Sequence, residues 1–302
     1  MDNNIFTEYQ HHLENLQKKL KHFEKFELNK IFTPSEEIIR LLSTINIEET
    51  TFEEIARLVE KDKNLCIRLL RIANSPVFGF SGRITSVEQA LLLLGVKALR
   101  AVILTLPVLR KSRQFIPHLE DHSFKVGTGA RILAEISELK SISEVATAGI
   151  VHDLGKTVIA EFLVREGEFG KKILRYLYTH KIGKAGLQKE REILGTDHVE
   201  IGEKLAKAWF FPERLIKLIN SHHNPITSEN NGIETKCIYI ANLLSYFNLP
   251  EEFDKRKQEI LSEEDLEMLN LFEISSSEIN GIIENINKEW LTLKEFFFKL
   301  IL

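Results

Sequence analysis

The chain is 302 residues long, 43% of them hydrophobic, and its 40 basic and 44 acidic side chains leave a formal charge of −4. This length allows one large domain or two smaller ones, with enough apolar residues for a sizeable core. The slightly acidic balance, with no block rich in lysine and arginine, speaks against a nucleic-acid-binding protein. The two cysteines, Cys66 and Cys237, form no CxxC unit, so neither a disulfide framework nor a thiolate metal site is indicated and a reducing cytoplasm is expected.

The sequence shows no signal for export or for membrane insertion. Its N-terminus lacks the apolar run and the small-residue cleavage site of a secretory signal. The most apolar stretch, residues 90–110, is about long enough to span a bilayer, but Lys97 and Arg100 fall near its middle. Each of these charges would cost roughly 2.5–3.5 kcal/mol on insertion scales, so we predict a buried helix of a cytoplasmic protein.

Helical periodicity dominates the sequence, which contains only 7 prolines and 15 glycines. Residues 4–26 form a charged amphipathic segment and predict a leading helix that packs on the body or on a partner. Pro34, followed by a serine and two glutamates, marks the next helix start, because proline and acidic residues suit a first turn. Residues 50–62 likewise begin with a threonine cap and acidic residues in the first turn, followed by a buried apolar stripe. We therefore expect an almost entirely helical protein.

Residues 75–86 form a turn-rich break in this pattern. Ser86 is placed to cap the helix that follows, since a serine oxygen can accept a main-chain hydrogen bond there. We predict one long helix after this cap, running through Gly95 and ending near Pro107. About five helices then precede residue 112.

Histidines mark the second half of the chain. From Asp121 onward, successive predicted helices carry a histidine at one end or on the apolar face. Five of the ten histidines belong to this set: His122, His152, His198, His222 and His223. The other five lie in polar surroundings and are predicted to be surface residues: His11, His12, His22, His118 and His180. After Pro250, a charged segment leads into two or three short helices and the apolar end "EFFFKLIL".

The stretch "GIVHDLGK" at 149–156 offers the residue types of a phosphohydrolase metal centre. Divalent ions take imidazole nitrogen and carboxylate oxygen, and two ions bridged by one carboxylate can activate a water between them. His152 and Asp153 can share one ion if the helix ends there, with Gly155 loosening a backbone that would otherwise splay the two side chains by about 100°. Lys156 would then lie nearby as a phosphate-binding cation.

Each histidine also has an ordinary structural interpretation. A histidine at a helix C-terminus, such as His152 or the His222-His223 pair, commonly caps a carbonyl. His198 and His122 can be exposed first-turn residues. The metal-site interpretation rests on the series as a whole, because several helices in succession each present a histidine at comparable depth.

The order of these histidines resembles that of the HD superfamily of metal-dependent phosphohydrolases. Residues 58–104 are also similar to the N-terminal part of the HDOD domain, the HD-related output domain of bacterial signalling proteins. In that family a run of the type L-A-N-S-x-x-Y/F-G precedes an isoleucine-serine turn and then A-I-x-x-L-G-x-x-x-L-R. The corresponding parts here are residues 72–79, 84–86 and 90–100. The resemblance covers roughly residues 28–250.

The resemblance implies an all-α fold in which an N-terminal helical subdomain packs on an HD-type helical bundle. It suggests four parts: a leading amphipathic helix at 1–27, the N-terminal part of the HDOD domain at 28–110, the HD-like bundle at 111–250 and a C-terminal helical extension at 251–302.

The same resemblance implies a set of metal ligands. His122, His152 and Asp153 would bind one ion, and His198, His222 and His223 match the added histidines of two-metal relatives that hydrolyse cyclic dinucleotides. Lys156 matches a lysine near the substrate phosphate in those relatives, so Asp153 and Lys156 are the catalytic residues if the centre is active. Two features depart from the pattern. Asn242 stands where relatives have an aspartate ligand, and the glycine-tyrosine-proline loop after the paired histidines is missing.

Two functions follow from these features. The first is a stand-alone regulatory module that binds a signalling protein or a small ligand, with or without a divalent metal. The second is an active phosphohydrolase for a nucleotide or phosphodiester, with one or two Fe, Mn, Ni or Zn ions. Phe78 and Phe80 offer a recognition surface for the first function, although ordinary core contact is the favoured interpretation. The two terminal helices are expected to cover the body, with self-association as the alternative.

Overall fold

The computed structural model describes residues 10–21, 52–60, 66, 69–70, 72–79, 83–180, 183–225, 232–271 and 274–298. Regular structure in these residues consists of α-helices and one short 3-10 helix, Pro76–Phe78, with no strand among them. The all-α class predicted from the helical periodicity is thereby confirmed. In chain order the helices are α1 Gln10–Lys21, α2 Phe52–Glu60, α3 Val87–Leu94, α4 Val96–Ser112, α5 Leu119–Ile136, α6 Ile142–Val151, α7 Leu154–Arg165, α8 Gly167–His180, α9 Gly183–Leu194, α10 His198–Ala208, α11 Glu213–Ser221, α12 Ile233–Leu244, α13 Pro250–Ile260, α14 Glu263–Leu271 and α15 Ser276–Phe298.

Helix α5 is the centre of the fold and packs against α6, α12 and α15. It crosses α6 where two glycines face each other: a Cβ built on Gly149 would lie 2.8 Å from the Cα of Gly127. Because neither position carries a side chain, the two backbones approach closely. This crossing brings the C-terminal end of α6, with His152 just beyond it, beside His122 in the first part of α5.

The predicted cap at Ser86 is present at the start of α3, where the Ser86 Oγ accepts a hydrogen bond of 3.1 Å from the Gln89 N–H. The prediction of one continuous helix through Gly95 is wrong. Gly95 has a φ of +75°, in the left-handed region that glycine enters without steric cost, and α3 ends immediately before it.

The predicted helix end near Pro107 is also wrong, because α4 continues to Ser112. A proline inside a helix removes one main-chain hydrogen bond, but burial of apolar side chains around it offsets that loss. Leu104, Val108 and Leu109 are all buried on this helix.

Both ends of the described chain pack on the body. On α1, Leu16 and Leu20 are buried, and the Gln17 side-chain amide donates to the Ile193 carbonyl at the end of α9 over 2.9 Å. On α15, Ile286 is buried against the glycine face of α5 at Gly129. The leading helix therefore covers the body, as the favoured sequence interpretation expects.

Several sequence predictions fall outside the described residues: the helix after Pro34, the side chain of Phe80, the side chains of residues 295–302, and those of His22 and His180. Phe78 is buried in the core, in agreement with the core-contact interpretation. The divisions at residues 28, 111 and 251 stay predictions. In the part of the chain that the structure describes, no helix is long and apolar enough to cross a membrane.

Candidate metal centre

The His152-Asp153 pair lies in a sharp break between two helices. Helix α6 ends at Val151 and α7 begins at Leu154, so the two side chains leave the helical path at the junction. The helix therefore does end there, as a shared metal site requires. Both side chains are fully buried, with 0% of their surface exposed.

Gly155 has a different role from the predicted one, because it lies inside α7 and does not form the break. A Cβ on Gly155 would lie 1.8 Å from the His198 carbonyl oxygen, far inside any contact distance. The missing side chain thus allows α7 to touch the start of α10. This contact places His198, the first residue of α10, beside Asp153.

Five imidazoles and one carboxylate converge at this point. His122 Nε2 lies 3.2 Å from His152 Nε2, and both nitrogens lie 3.2–3.3 Å from Asp153 Oδ2. On the other side of the carboxylate, His198 Nε2 is 3.3 Å from Asp153 Oδ1. His198 Nε2 is also 3.3 Å from His222 Nε2 and 3.1 Å from His223 Nε2. All six residues predicted as ligands are buried here.

Asp153 bridges two groups of candidate ligands. We call His122, His152 and Asp153 Oδ2 the first half of the centre, and His198, His222, His223 and Asp153 Oδ1 the second half. The structure brings together all five histidines that the sequence assigned to the site. The structural alternatives, capping or surface exposure, do not describe His198 and His122, which are 1% and 9% exposed.

Four of the five imidazoles, those of His122, His152, His198 and His222, are held through Nδ1, which fixes where the proton lies. His152 Nδ1 donates to the Gly149 carbonyl over 2.7 Å, and His222 Nδ1 donates to the Ile219 carbonyl over 2.5 Å. A carbonyl can only accept, so the ring proton is on Nδ1 and each Nε2 presents a lone pair to the centre.

His122 and His198 are held in the same manner by side chains. The Ser245 hydroxyl donates to the Asn242 carbonyl over 2.8 Å, which leaves its oxygen to accept from His122 Nδ1 at 2.9 Å. The Glu190 carboxylate accepts from His198 Nδ1 at 2.7 Å. Such outer partners are typical of metal-binding histidines, whose ring orientation they set.

Three of the imidazoles, those of His122, His222 and His223, are neutral in the folded protein. Burial lowers the pKa of His122 to about 4 and that of His222 to about 3, although Asp153 acts in the opposite direction on both. Burial, together with the neighbouring His222, lowers the pKa of His223 well below its usual value. Burial alone would raise the pKa of Asp153, but His152 and Lys156 hold it well below its ordinary range. Asp153 is therefore an anion.

The donor set fits a divalent cation. Asp153 Oδ1 is buried and accepts no hydrogen bond from any described residue, and the nitrogens around it are lone-pair acceptors. Acceptors that face one another without a donor are unfavourable unless a cation lies between them. Ligands placed tetrahedrally at about 2.0–2.1 Å from an ion are about 3.3–3.4 Å apart, close to the separations found here.

Lys156 binds the carboxylate of the centre. Its Nζ lies 2.6 Å from Asp153 Oδ2, and about 6.0 Å from the centre of the Tyr178 ring. Burial alone would lower the pKa of Lys156, but Asp153 more than offsets this effect and raises the pKa above its usual value. Lys156 is therefore a fixed positive charge beside the centre.

Asn242 approaches the centre through its main chain. Its carbonyl is linked to His122 by the Ser245 hydroxyl, while its side-chain Oδ1 is buried and accepts no hydrogen bond from the described residues. One turn further on, the Tyr246 ring packs on the His122 ring with 4.7 Å between centroids. Burial raises the pKa of the Tyr246 phenol to about 12, so this wall of the centre carries no charge.

Three contributors were not foreseen from the sequence: Glu190, Ser245 and Tyr246. Ser245 and Tyr246 follow Asn242 within one helical turn, and that spacing could have indicated them. Glu190 lies eight residues before His198 across a turn, and no local pattern marks it. Of the predicted surface histidines, His11, His12 and His118 are exposed as expected.

A buried His-Asp cluster at the meeting point of four helix ends, within an all-α bundle, is the arrangement of the HD class. The family description "HDOD domain" matches residues 31–225, and the chain belongs to the HDOD family. An uncharacterised protein of Treponema pallidum (strain Nichols) is 24% identical over 195 residues, which are 62% of this chain and 36% of that protein. The chain thus spans little more than a third of that relative's length.

Solved structures share the fold. A candidate metal-dependent phosphohydrolase from Shewanella amazonensis SB2B has a TM-score of 0.62 at 14% identity, covering 96% of this chain and 99% of that one. An HDOD domain protein of unknown function from Geobacter sulfurreducens has a TM-score of 0.53 at 24% identity, covering 89% of each chain. At these identities the likeness concerns the fold alone.

Proposed function

We propose that this chain is an HDOD signalling protein that holds a divalent metal ion in its His-Asp centre and acts by binding a protein or small ligand. One observation carries the metal: buried Nε2 atoms of the histidines converge on Asp153, whose Oδ1 accepts no hydrogen bond from the described residues. Imidazole nitrogen and carboxylate oxygen together suit Fe, Mn, Ni or Zn.

Three features favour binding over hydrolysis. First, the centre is enclosed, since the most exposed of its candidate ligands, His122, shows only 9% of its surface. Second, the Lys156 ammonium is already engaged by Asp153 Oδ2 at 2.6 Å. Third, Asn242 brings no negative charge where an acidic ligand would help to hold an ion. The metal in this proposal stabilises the junction of α6, α7, α10 and α11 from which a signal is passed.

Hydrolysis is the second candidate, and one observation supports it. Asp153 lies between two groups of histidines, as a bridging carboxylate does in two-metal phosphohydrolases. A bound divalent ion would supply Lewis acidity and lower the pKa of a coordinated water. In that case the chain's own contribution is to orient the ions through Asp153 and to place the Lys156 ammonium next to them.

Metal analysis of the full chain, purified without added metal, tests the proposal. We expect the wild type to contain Fe, Mn, Ni or Zn in near-stoichiometric amount. Asp153→Asn should lose this metal, because the substitution keeps the side-chain shape and removes the charge. His118→Gln is the matched control, because His118 is an exposed histidine, and its metal content should equal that of the wild type. Wild-type protein that is folded but metal-free contradicts the proposal.

A hydrolysis panel separates the two functions. Metal-loaded protein is incubated with nucleoside phosphates, cyclic nucleotides and cyclic dinucleotides, with Asp153→Asn alongside. We expect no turnover above that of Asp153→Asn, while any panel member that binds raises the melting temperature of the wild type. Turnover that disappears in Asp153→Asn would replace the signalling proposal with the phosphohydrolase.

A further inference from the structure

The two oxygens of Asp153 have different surroundings. Oδ2 faces the first half of the centre and binds the Lys156 ammonium at 2.6 Å. Oδ1 faces the second half, where its neighbours are the Nε2 atoms of His198 at 3.3 Å and His222 at 3.7 Å. No described residue donates a hydrogen bond to Oδ1. A positive charge is therefore already present on one side of the carboxylate and missing on the other.

The ammonium of Lys156 opposes a second cation in the first half. Its side chain is only 13% exposed, and its partner Oδ2 also faces His122 and His152. Like charges in a low-dielectric interior repel strongly. Asn242 adds no negative charge from the neighbouring helix. The one charged ligand available to an ion in the first half would be Asp153 Oδ2, which already binds Lys156; His122 and His152 are the imidazoles beside it.

Glu190 has the opposite effect in the second half. One of its oxygens, Oε2, accepts both the main-chain N–H and the Nδ1–H of His198, each over 2.7 Å. The side chain is only 3% exposed, so its negative charge acts at close range with little screening. A carboxylate behind a histidine fixes the ring and makes its Nε2 a stronger ligand. The other described outer partners in the centre are carbonyls and a hydroxyl.

From this asymmetry we infer that the centre holds one divalent ion, bound in the second half by Asp153 Oδ1, His198, His222 and His223, with the Lys156 ammonium serving as the cation of the first half. The inference rests on the metal-binding part of the proposed function. It assigns two further roles: Glu190 positions His198, and Lys156 limits the centre to a single ion. Three imidazoles and one carboxylate oxygen make a four-coordinate site.

Metal stoichiometry and affinity in matched variants test this inference. Wild-type protein, stripped and titrated with Zn²⁺, should bind one equivalent tightly. His223→Gln should lose this equivalent, whereas His122→Gln should keep it. Lys156→Met, which removes the ammonium and keeps the length of the side chain, should gain a second equivalent. Glu190→Gln should bind the ion about 10–100-fold more weakly, the range for loss of an outer partner.

A spectroscopic readout keeps the test independent of variant folding. Co²⁺ bound to the wild type should give the intense visible absorption of a four-coordinate ion, at one equivalent. Two tight equivalents in the wild type, or loss of the ion in His122→Gln with retention in His223→Gln, would overturn the inference while leaving metal binding intact. If no variant and no wild-type sample binds metal, the proposed function itself fails.

Discussion

Two polar clusters lie along α5, and they differ in how the charges of their buried groups are balanced. In the second half of the helix, Arg131 Nη1 donates to Glu135 over 2.6 Å, and its Nη2 donates to Glu289 of α15 over 2.5 Å. In the first part of the helix, His122 joins a cluster in which Lys156 is the one described cation and the remaining groups are acceptors. In the arginine cluster, the guanidinium supplies donors to both carboxylates. In the histidine cluster, the Lys156 ammonium reaches only one oxygen of Asp153.

This difference in charge balance distinguishes a structural cluster from a candidate metal site. A buried charge that is balanced by ion pairs, as Arg131 is by Glu135 and Glu289, stabilises the fold without a bound ion. A buried set of acceptors without donors is unfavourable by itself and becomes favourable when a cation binds. A cluster of the first kind should keep its stability when metal is removed, whereas a cluster of the second kind should lose it.

The largest expected effect is that of Gly155→Ala. The added methyl group would overlap the His198 carbonyl, which belongs to the backbone and cannot move aside as a side chain would. We expect a loss of about 3 kcal/mol or more in the free energy of unfolding, with loss of bound metal. Urea unfolding monitored by circular dichroism measures it.

Gly281→Ala is the matched control for this substitution. Gly281 also lies inside a helix, α15, but a Cβ there would have no atom within 4 Å. Alanine should raise the free energy of unfolding by about 0.5–1 kcal/mol, since glycine is the poorer helix former. Equal destabilisation by the two substitutions would remove the packing role given to Gly155.

Metal removal is the next largest effect. A ligand present at about 100–1,000 times its dissociation constant stabilises the folded state by about 2.7–4.1 kcal/mol, so chelation should lower the free energy of unfolding by about that amount. Thermal unfolding with and without a chelator, followed by metal re-addition, measures the change. A melting temperature that does not change on chelation would contradict this prediction. It would mean that the histidine cluster, like the arginine cluster, is stable without a bound metal.

Arg131→Met should have a smaller effect. It removes charge-assisted hydrogen bonds to two glutamates that are each about a third to a half exposed and can regain water. We expect a loss of about 2 kcal/mol. The loss should be the same in metal-loaded and chelated protein, because the two clusters share no partner. Denaturant titration in both states checks this, and a loss that changes on chelation would mean that the clusters are coupled.

A last effect concerns the pH dependence of the metal-free protein. The pKa of His122 falls from 6.5 to about 4 on folding, and that of His222 from 6.5 to about 3. Below pH 6.5 the unfolded chain therefore binds more protons than the folded protein, and stability falls as the pH falls. One pH unit is worth about 1.4 kcal/mol for each such histidine.

Denaturant unfolding of chelated protein at a series of pH values measures this slope. It should be present between pH 6.5 and about 4, and smaller in His122→Gln, which removes one of the titrating groups. A flat profile over this range would contradict the burial of neutral imidazoles.

The sequence indicated which histidines lie together better than it indicated where the surrounding helices end. The five histidines and Asp153 were selected because successive predicted helices each carry a histidine and because their order resembles the HD pattern. The end of α4 was misplaced, because burial of Leu104 and Val108 overrode the helix-breaking tendency of Pro107. Tertiary packing of this kind has no local signature.

The supporting residues were missed for the same reason. Glu190 acts on His198 across a turn, and the Gly127–Gly149 crossing depends on two helices meeting at those positions. The role of Gly155 was misassigned because a glycine in a motif indicates either a turn or a close approach, and only the neighbouring His198 carbonyl distinguishes the two.

Anomalous X-ray scattering from crystals of protein purified without added metal tests the metal centre most directly. Data collected on either side of the absorption edge of the metal found by elemental analysis locate that element. The structure predicts a single anomalous peak bounded by Asp153 Oδ1 and the Nε2 atoms of His198, His222 and His223. No anomalous peak among these atoms, in a crystal where all four side chains keep their positions, would contradict it.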